Sequence, residues 1–325
     1  MFDDGRWHAV EVHEASQVGA ARRLAARLSE FAELDELRAG HVALVVVELA
    51  TNLVKHAQRG MLMMRVDRQA PAPAVDVLTV DHGPGMDLEA CFRDGYSTGG
   101  TGGTGLGAVR RIASEFDAYS GPQGSVLFAR LGTLPGPARG SVAIALQGEP
   151  VSGDAWQLLL HDAGWSAAVV DGLGHGEHAH AASQAVLGAH RDAAGDPQRG
   201  LELAHERSRG MRGSACTMLA FDAAASQVVQ AGVGNVSMSH VGREGSRGVS
   251  SQNGTLGVAS PRIQPNRLVV AVGDLLIVHT DGLTARWSLD RYPGLRVRHP
   301  QVIAGVLFRD ASRQRDDATV LVIRV

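Results

Sequence analysis

One stretch, residues 169–176, constrains the fold of this chain more than any other. Its sequence, Val-Val-Asp-Gly-Leu-Gly-His-Gly, predicts an apolar strand that ends in an aspartate and a glycine-rich turn. A carboxylate at the end of a buried strand is costly unless something binds it. A divalent cation suits Asp171 together with a backbone carbonyl that Gly172 leaves accessible. An ordinary strand-to-helix turn capped by Asp171 explains the same residues, so the rest of the chain has to decide.

Length and composition favour a soluble protein of two domains. The chain has 325 residues, more than one typical domain, and its 31 basic and 34 acidic residues nearly balance. We therefore expect no nucleic acid and no anionic membrane as a partner. The acidic N-terminus does not resemble a signal peptide, and we find no apolar run of spanning length. Cys91 and Cys216 lie in different halves, which argues against a disulfide framework. We predict a cytoplasmic protein, and the sequence leaves open whether it is a homo-oligomer.

The first part of the chain has the pattern of helices packed on a mixed sheet, an α+β sandwich. The predicted helices are at 15–31, 36–57 and 106–116. The predicted strands are at 7–12, 61–68, 75–80, 118–120 and 125–131.

Two prolines and two glycines between residues 134 and 140 predict a domain boundary. We predict a first domain at 1–133, a linker at 134–141 and a second domain at 142–325. The second domain has many short apolar runs, which indicate two stacked sheets with flanking helices. We expect its Ser/Gly-rich stretch 242–257 to be a mobile loop.

Three polar residues share one face of the predicted helix 36–57. Glu48, Asn52 and His56 are spaced four apart, so their side chains lie along one stripe. A carboxylate, an amide and an imidazole can hold a hydrated magnesium ion and polarise a hydroxyl or water. A solvated helix face explains the same stripe.

Two glycine-rich motifs add to this stripe. Asp81, Gly83 and Gly85 follow an apolar strand, and Asp81 could accept a hydrogen bond from an adenine amino group. The glycine-rich run 99–107 leads into a helix N-terminus, where backbone N–H groups favour phosphate. A Rossmann site is excluded because no strand precedes the run and no βαβ unit surrounds it. A P-loop is excluded because no Gly-Lys-Ser/Thr follows.

In order and spacing, these three motifs resemble the N, G1 and G2 boxes of the GHKL ATPases. They are most similar to the anti-sigma-factor serine kinases of the RsbT and RsbW kind, over residues 7–131. The resemblance implies an ATP site with magnesium. Its residues would be Glu48 as base, Asn52 as magnesium ligand, Asp81, Gly83 and Gly85 near adenine, and Thr104, Gly105, Leu106 and Gly107 at the phosphates. Such kinases phosphorylate a serine or threonine of a STAS-domain protein. Whether this domain transfers phosphate or only binds ATP stays open.

Acidic residues lie at the edges of apolar strands in three further places in the second half. Asp154 precedes one predicted strand, Asp281 follows another, and Asp316 with Asp317 precedes the last. Convergent carboxylates at strand ends indicate a two-metal site that activates water for hydrolysis.

The four places resemble the SpoIIE-type branch of the metal-dependent (PPM) serine/threonine phosphatases, with their α-β-β-α sandwich. The Asp-Gly-Leu-Gly-His-Gly form is most similar to the RsbX type. The resemblance implies that Asp171 bridges two manganese or magnesium ions and that the Gly172 carbonyl contributes. Asp154 would support one metal, and Asp281 and Asp316 the other, with Asp317 beside the ligands. Gln157 departs from the pattern, because many relatives carry a second acid there.

The cluster of His175, Glu177, His178 and His180 allows a zinc site, but turn and helix-start residues are the simpler explanation, because the carboxylates already account for the site and structural zinc usually has four protein ligands. The function that these motifs predict is dephosphorylation of a phosphoserine or phosphothreonine on a STAS-domain regulator, with an ATP-binding domain that phosphorylates a STAS partner. One alternative makes the first domain an ATP sensor without transfer. Another makes the chain a non-catalytic module that sequesters a partner.

Overall fold

The computed structural model describes residues 5–57, 59–67, 73–91, 105–259 and 262–325. The chain divides into two compact units. The first unit is Met1–Pro135 with Pro293–Arg309, and the second is Gly136–Tyr292 with Asp310–Val325. Pro293–Arg309 thus belongs to the first unit, although its sequence lies inside the predicted second domain.

The first unit is a five-stranded sheet with helices on it, as an α+β sandwich requires. Its strands are β1 His8–Val12, β2 Gly60–Asp67, β3 Ala74–Asp81, β4 Glu115–Gly121 and β5 Gly124–Leu131. Its first helices are α1 Ala15–Phe31, α2 Glu36–His56, α3 Leu88–Cys91 and α4 Gly105–Ile112. The strand order is β1-β2-β3-β5-β4, and every neighbouring pair is antiparallel, where the sequence led us to expect a mixed sheet.

Helix α2 forms the centre of the first unit's core. Asp35 caps it by accepting a hydrogen bond from the Arg38 backbone N–H at 2.8 Å. Its apolar side chains, among them Val46 and Leu49, are buried against the sheet. By length and composition alone this helix could also span a membrane, contrary to our expectation that no run was long enough. The burial of its apolar side explains the composition of a core helix.

The second unit is a pair of five-stranded sheets with helices. Its strands are β6 Arg139–Ile144, β7 Asp154–His161, β8 Gly164–Gly172, β9 Ser214–Asp222, β10 Gln227–Val233, β11 Ser237–Gly242, β12 Gly245–Val249, β13 Asn266–Val269, β14 Leu275–His279 and β15 Ala318–Arg324. The helices α5 Glu177–Asp192 and α6 Pro197–Arg207 follow β8. The strand orders are β13-β10-β9-β8-β7 in one sheet and β12-β11-β14-β15-β6 in the other.

Both sheets contribute to one apolar core, which confirms the predicted sandwich. Trp165 and Leu219 from the first of these sheets share a buried cluster with Leu276 and Leu321 from the second. A separate cluster joins α5 and α6 to β8 and β9 through residues such as Val186, Leu201 and Val170.

Two boundaries differ from the sequence-based expectation. Strand β6 begins at Arg139, inside the predicted linker, because its residues pair with β15. The expected mobile loop 242–257 is wrong for its first half. Residues Gly245–Val249 pair with β11 as a hairpin, so the Ser/Gly composition reflects a tight turn and an exposed edge strand.

The last helix, α7 Pro300–Ala311, contributes its residues up to Arg309 to the first unit. There it lies on the face of the sheet opposite α2. A Cβ on Gly305 would lie 2.7 Å from Cγ1 of Val126 on β5. His299, just before the helix, stacks on Phe128 at 4.7 Å between ring centroids. This packing explains why Phe128 and Val126 are fully buried.

The same face of the sheet holds a buried ionic group. Asp76 pairs with Arg65 at 2.7 Å and with Arg130 at 2.6 Å. These two guanidinium groups outweigh the desolvation of Asp76 and hold its pKa well below the ordinary value.

Candidate functional site

A pocket in the first unit opens between α2 and the ends of β3 and β5. It brings together Asn52 and His56 of the polar stripe with Asp81 and Gly85 of the next motif. The lining residues are Leu49, Asn52, Leu53, His56, Thr79, Asp81, Gly85, Met86, Ser125 and Leu127. Apolar walls with a few convergent polar groups are typical of a small-molecule site.

Asn52 provides the clearest sign of a ligand in this pocket. Its Nδ2 atom is buried and has no hydrogen-bond partner among the described residues. A buried amide donor without an acceptor is costly, and such groups are rare in folded proteins. The free donor of Asn52 is therefore suited to a ligand with a hydrogen-bond acceptor, whereas the predicted magnesium ion would need the other amide atom, Oδ1.

Asp81, the last residue of β3, is fixed by two backbone donors. Its Oδ1 accepts hydrogen bonds from the N–H groups of Gly83 at 2.8 Å and Ser125 at 3.1 Å. Burial raises the pKa of this carboxyl, while the two N–H groups and the charge of Arg309 act in the opposite direction. The side chain is thus held rigidly at the pocket wall.

The two glycines after Asp81 are required by close backbone packing. A Cβ on Gly83 would lie 2.9 Å from the carbonyl oxygen of His56. Gly85 has φ +82° and faces the carbonyl oxygen of Gly121, so a side chain there would clash and be strained. The turn therefore brings the chain of the Asp81 motif against the end of α2.

The structure describes only some of the remaining residues predicted for this site. Gly105, Leu106 and Gly107 form the first turn of α4, and Leu106 anchors that turn in the core. Thr104 and the glycines before it lie outside the described residues. Glu48 is half-buried one turn before Asn52 and is not among the residues that line the pocket.

In the second unit, Asp154 and Asp171 are direct partners across β7 and β8. Asp154 is buried and Asp171 is half-buried. The backbone at Gly172 lies against α5, where a Cβ would be 2.8 Å from Oγ of Ser183 and closer still to the carbonyl oxygen of Ala179. Glycine at 172 therefore allows the strand end and α5 to approach.

Asp281 and Asp316 come from the other sheet, after β14 and before β15. Their effect on Asp171 shows that the acidic groups form one electrostatic cluster. Burial and then the charges of Asp281, Asp316 and Asp317 raise the pKa of Asp171 to about 7. Burial and the charge of Asp171 likewise raise the pKa of Asp154 well above its ordinary value.

Asp317 has a different environment from Asp316. Its Oδ1 accepts from the Leu146 N–H at 2.7 Å and its Oδ2 from the Gly153 N–H at 2.6 Å. Both oxygens therefore hold backbone segments in place. Asp316 is exposed, and its Oδ1 accepts from the Asp317 N–H at 2.9 Å. Both oxygens of Asp317 are thus engaged by backbone donors, and the assignment of Asp316 as the ligand stays a prediction.

The donor set fits a divalent cation by its chemistry. All the candidate donors are oxygens. At Asp154 and Asp171, desolvation and neighbouring negative charge disfavour the ionised carboxylate, so a cation would stabilise it. As the side chains stand, however, no three acidic, histidine or cysteine groups of the described chain are close enough together to hold a metal ion.

Hydrogen-bond donors to the carboxylates escaped the sequence analysis. Thr280 Oγ1 donates to Oδ2 of Asp154 at 2.6 Å, and Asn235 Nδ2 donates to Oδ2 of Asp281 at 2.8 Å. The position of Thr280 directly before Asp281 could have suggested its role. Asn235 lies 46 positions from Asp281, and no spacing pattern links the two.

The histidines near the glycine-rich turn point to different partners. Nδ1 of His175 lies 2.6 Å from Oε1 of Glu149, and His180 Nδ1 donates to the Ser152 carbonyl at 2.9 Å. They do not form a zinc site in the described chain. Gln157 faces helix α5, where its Oε1 lies 3.4 Å from Nδ1 of His190.

Two family models match the chain. The histidine kinase-like ATPase domain matches residues 12–131, and stage II sporulation protein E (SpoIIE) matches residues 161–325. The serine/threonine-protein kinase RsbT of Bacillus subtilis is 30% identical over 105 residues, which cover 31% of this chain and 77% of RsbT.

Similar folds are found among solved structures. One, described as "The bacterial stressosome: a modular system that has been adapted to control secondary messenger signaling", has a TM-score of 0.54 at 24% identity. The match covers 58% of this chain and 100% of that one. RsbX in complex with magnesium has a TM-score of 0.49 at 22% identity, with 57% of this chain and 92% of that one covered.

Proposed function

Because the chain belongs to the SpoIIE family and begins with a histidine kinase-like ATPase domain similar to RsbT, we propose that it is a metal-dependent protein serine/threonine phosphatase that also binds ATP. Both resemblances inferred from the motifs are confirmed. The chain is a regulatory protein with a kinase-like domain and a PPM-type phosphatase domain. Its substrate, its metals and its nucleotide belong to the proposal.

The acidic cluster around Asp171 carries the phosphatase proposal. Asp171 would hold both ions with a contribution from the Gly172 carbonyl, Asp154 would support one ion, and Asp281 and Asp316 would hold the other. Bound manganese or magnesium ions would supply Lewis acidity and lower the pKa of a bound water. The chain itself holds the carboxylates on rigid strand ends, with Thr280 on Asp154 and Asn235 on Asp281. Asp317 fixes the entry to β7 through the Gly153 N–H.

The proposed substrate is a phosphoserine or phosphothreonine on a STAS-domain protein. The similarity of the first domain to RsbT and the stressosome fold match support this choice over a small phosphoester. A cytoplasmic location is part of the same proposal.

The test is phosphate release from a phosphorylated STAS-domain protein in the presence of manganese. We expect the wild-type chain to release phosphate and the Asp171→Ala variant to release none. EDTA should abolish the activity, and added manganese should restore it. Equal release by the wild type and Asp171→Ala would reject the proposal and favour a non-catalytic module.

For the first domain, Asn52 and Asp81 support ATP binding, and two roles remain distinct. We propose phosphate transfer to a STAS-domain protein, with an ATP sensor as the alternative. Radiolabelled ATP separates them, because a kinase labels the partner and the Glu48→Gln variant does not. Nucleotide binding without labelling would establish the sensor.

A further inference from the structure

Thr280 connects the two sheets at the acidic cluster of the second unit. It follows β14 directly and precedes Asp281, and its side chain is fully buried. Its hydroxyl donates to Oδ2 of Asp154 at 2.6 Å, although Asp154 begins β7 of the other sheet. The Thr280 hydroxyl therefore links Asp154, a candidate metal ligand on one sheet, to the end of β14 on the other sheet, which Asp281 follows.

The direction of this hydrogen bond is fixed by Thr319. The Thr319 N–H donates to Thr280 Oγ1 at 3.0 Å, and the Thr280 N–H donates to the Thr319 carbonyl at 3.0 Å. A hydroxyl has only one proton to donate. The Thr319 carbonyl lies 3.4 Å from Oγ1, farther than the Asp154 oxygen at 2.6 Å. The proton therefore points at Asp154.

The backbone and the side chain at the start of β7 are held by different groups. Asp317 accepts from the Gly153 N–H at 2.6 Å and so fixes the backbone just before Asp154. Ser183 donates to the Gly153 carbonyl. These contacts leave the rotation of the Asp154 carboxylate undetermined. The Thr280 hydroxyl constrains it through a bond of 2.6 Å, and the Thr319 hydroxyl interacts with the same carboxyl.

We propose that Thr280 is a positioning residue for the metal centre. Its hydroxyl holds the Asp154 carboxylate in the orientation that binds a divalent cation. This role rests on the phosphatase function proposed above. Partners that orient metal ligands typically affect metal affinity or activity by roughly 10–100-fold. Thr280→Val keeps the branched shape and removes the donor, so we expect a loss of manganese affinity in that range.

The matched control is Thr217, another buried threonine of the second unit. Its hydroxyl donates to the Val236 carbonyl at 2.9 Å rather than to an acidic group. Thr217→Val therefore loses a buried hydrogen bond of similar kind without touching the cluster. Both variants should unfold at a lower temperature than the wild type, which separates stability from metal binding.

The experiment is calorimetric titration of manganese into the full chain after EDTA treatment. We expect weaker binding for Thr280→Val, near wild-type binding for Thr280→Ser, which restores the donor, and wild-type binding for Thr217→Val. Thr280→Ala repeats the test if the valine variant does not fold. Wild-type affinity in Thr280→Val, or an equal loss in Thr217→Val, would overturn the positioning role.

Hydrolysis of p-nitrophenyl phosphate distinguishes this failure from failure of the proposed function. A wild-type chain that neither binds manganese nor hydrolyses the ester would reject the phosphatase, and the role of Thr280 with it. The other outcome is an active wild type and a Thr280→Val variant with the same activity and the same manganese affinity. That result would reject the role of Thr280 but not the phosphatase function.

Discussion

The two candidate sites each place an aspartate at the end of a strand, buried at Asp81 and half-buried at Asp171, and the surroundings of the two carboxyl groups differ. At Asp81, two backbone N–H groups and the charge of Arg309 counteract the effect of burial on the carboxyl pKa. At Asp171, three neighbouring carboxylates add to the effect of burial and raise the pKa to about 7. Burial alone therefore does not predict the chemistry of a strand-end acid.

The comparison explains which ligand each site suits. The pocket at Asp81 combines a fixed acceptor with the unpartnered donor of Asn52, which suits a neutral or polar group such as adenine with its phosphates beyond. The cluster at Asp171 has an excess of negative charge, which suits cations. The first site therefore offers a hydrogen-bonding pattern to a ligand, and the second offers negative charge to a cation.

The largest expected effect is the loss of hydrolysis in Asp171→Asn. Asparagine keeps the shape but removes the charge that would bridge two ions. A metal Lewis acid contributes several kcal/mol to catalysis, so we expect kcat to fall by about 10²–10³ or more. Phosphate release with manganese measures this effect. Binding of an ATP analogue to the same variant is the control and should equal the wild type, and a parallel loss of both would contradict the independence of the sites.

A smaller effect is expected at the other strand end, in Asp81→Asn. The substituted amide keeps one oxygen for the Gly83 and Ser125 N–H groups but removes the charged acceptor. A hydrogen bond to a charged group contributes about 1.5–3 kcal/mol, which predicts roughly 10–100-fold weaker ATP binding. Fluorescence titration with a labelled ATP analogue checks this. Manganese binding should be unaffected, and unchanged nucleotide affinity would show that Asp81 does not contact adenine.

Periodicity and turn chemistry predicted most of the fold. The bounds of α2 and of β3 lie within one residue of the expected 36–57 and 75–80, because a continuous apolar face and a strand bounded by turn residues are local signals. The strand at 245–249 was missed because its residues are polar and glycine-rich, and only pairing with β11 makes it a strand.

The site was predictable where one motif contains its residues and not where the fold brings distant segments together. Asp81 and Gly83 are two positions apart, and their hydrogen bond follows from that spacing. The bonds from Ser125 to Asp81 and from Asn235 to Asp281 join residues 44 and 46 positions apart. The packing of α7 on the first unit's sheet has no signal in the sequence, since an apolar helix fits any apolar face.

The contrast in carboxyl pKa predicts a pH dependence for the metal-free protein. The folded state keeps the Asp171 proton up to a pKa of about 7, while the unfolded state loses it near 3.8. As pH rises from about 4 to about 7, Asp171 should therefore lower the free energy of unfolding by at most about 1.4 kcal/mol per pH unit, and Asp154 should lower it further. Urea unfolding in EDTA measures this slope in the wild type and in Asp171→Asn.

Comparing the two proteins removes the contribution of His190, which is the same in both, and leaves the effect of the Asp171 charge, including its effect on the pKa of Asp154. Burial lowers the pKa of His190 to about 4, which gives an opposite slope between about 4 and 6.5. Asp171→Asn should be more stable than the wild type at pH 7 and lose this advantage toward pH 4. Parallel pH profiles would contradict the role of the neighbouring carboxylates.

The smallest effects should come from aspartates that bind only the ends of helices. Asp35 accepts from the Arg38 N–H in the first unit, and Asp196 accepts from the Gln198 and Arg199 N–H groups in the second. Replacing such a cap by alanine costs about 1 kcal/mol of stability. We expect Asp35→Ala and Asp196→Ala to lower the thermal unfolding midpoint and to leave ATP and manganese affinities unchanged. A change in either affinity would mean that a loss of stability by itself weakens ligand binding. The effects of the Asp81 and Asp171 variants would then have to be corrected for stability before they are assigned to ligand chemistry.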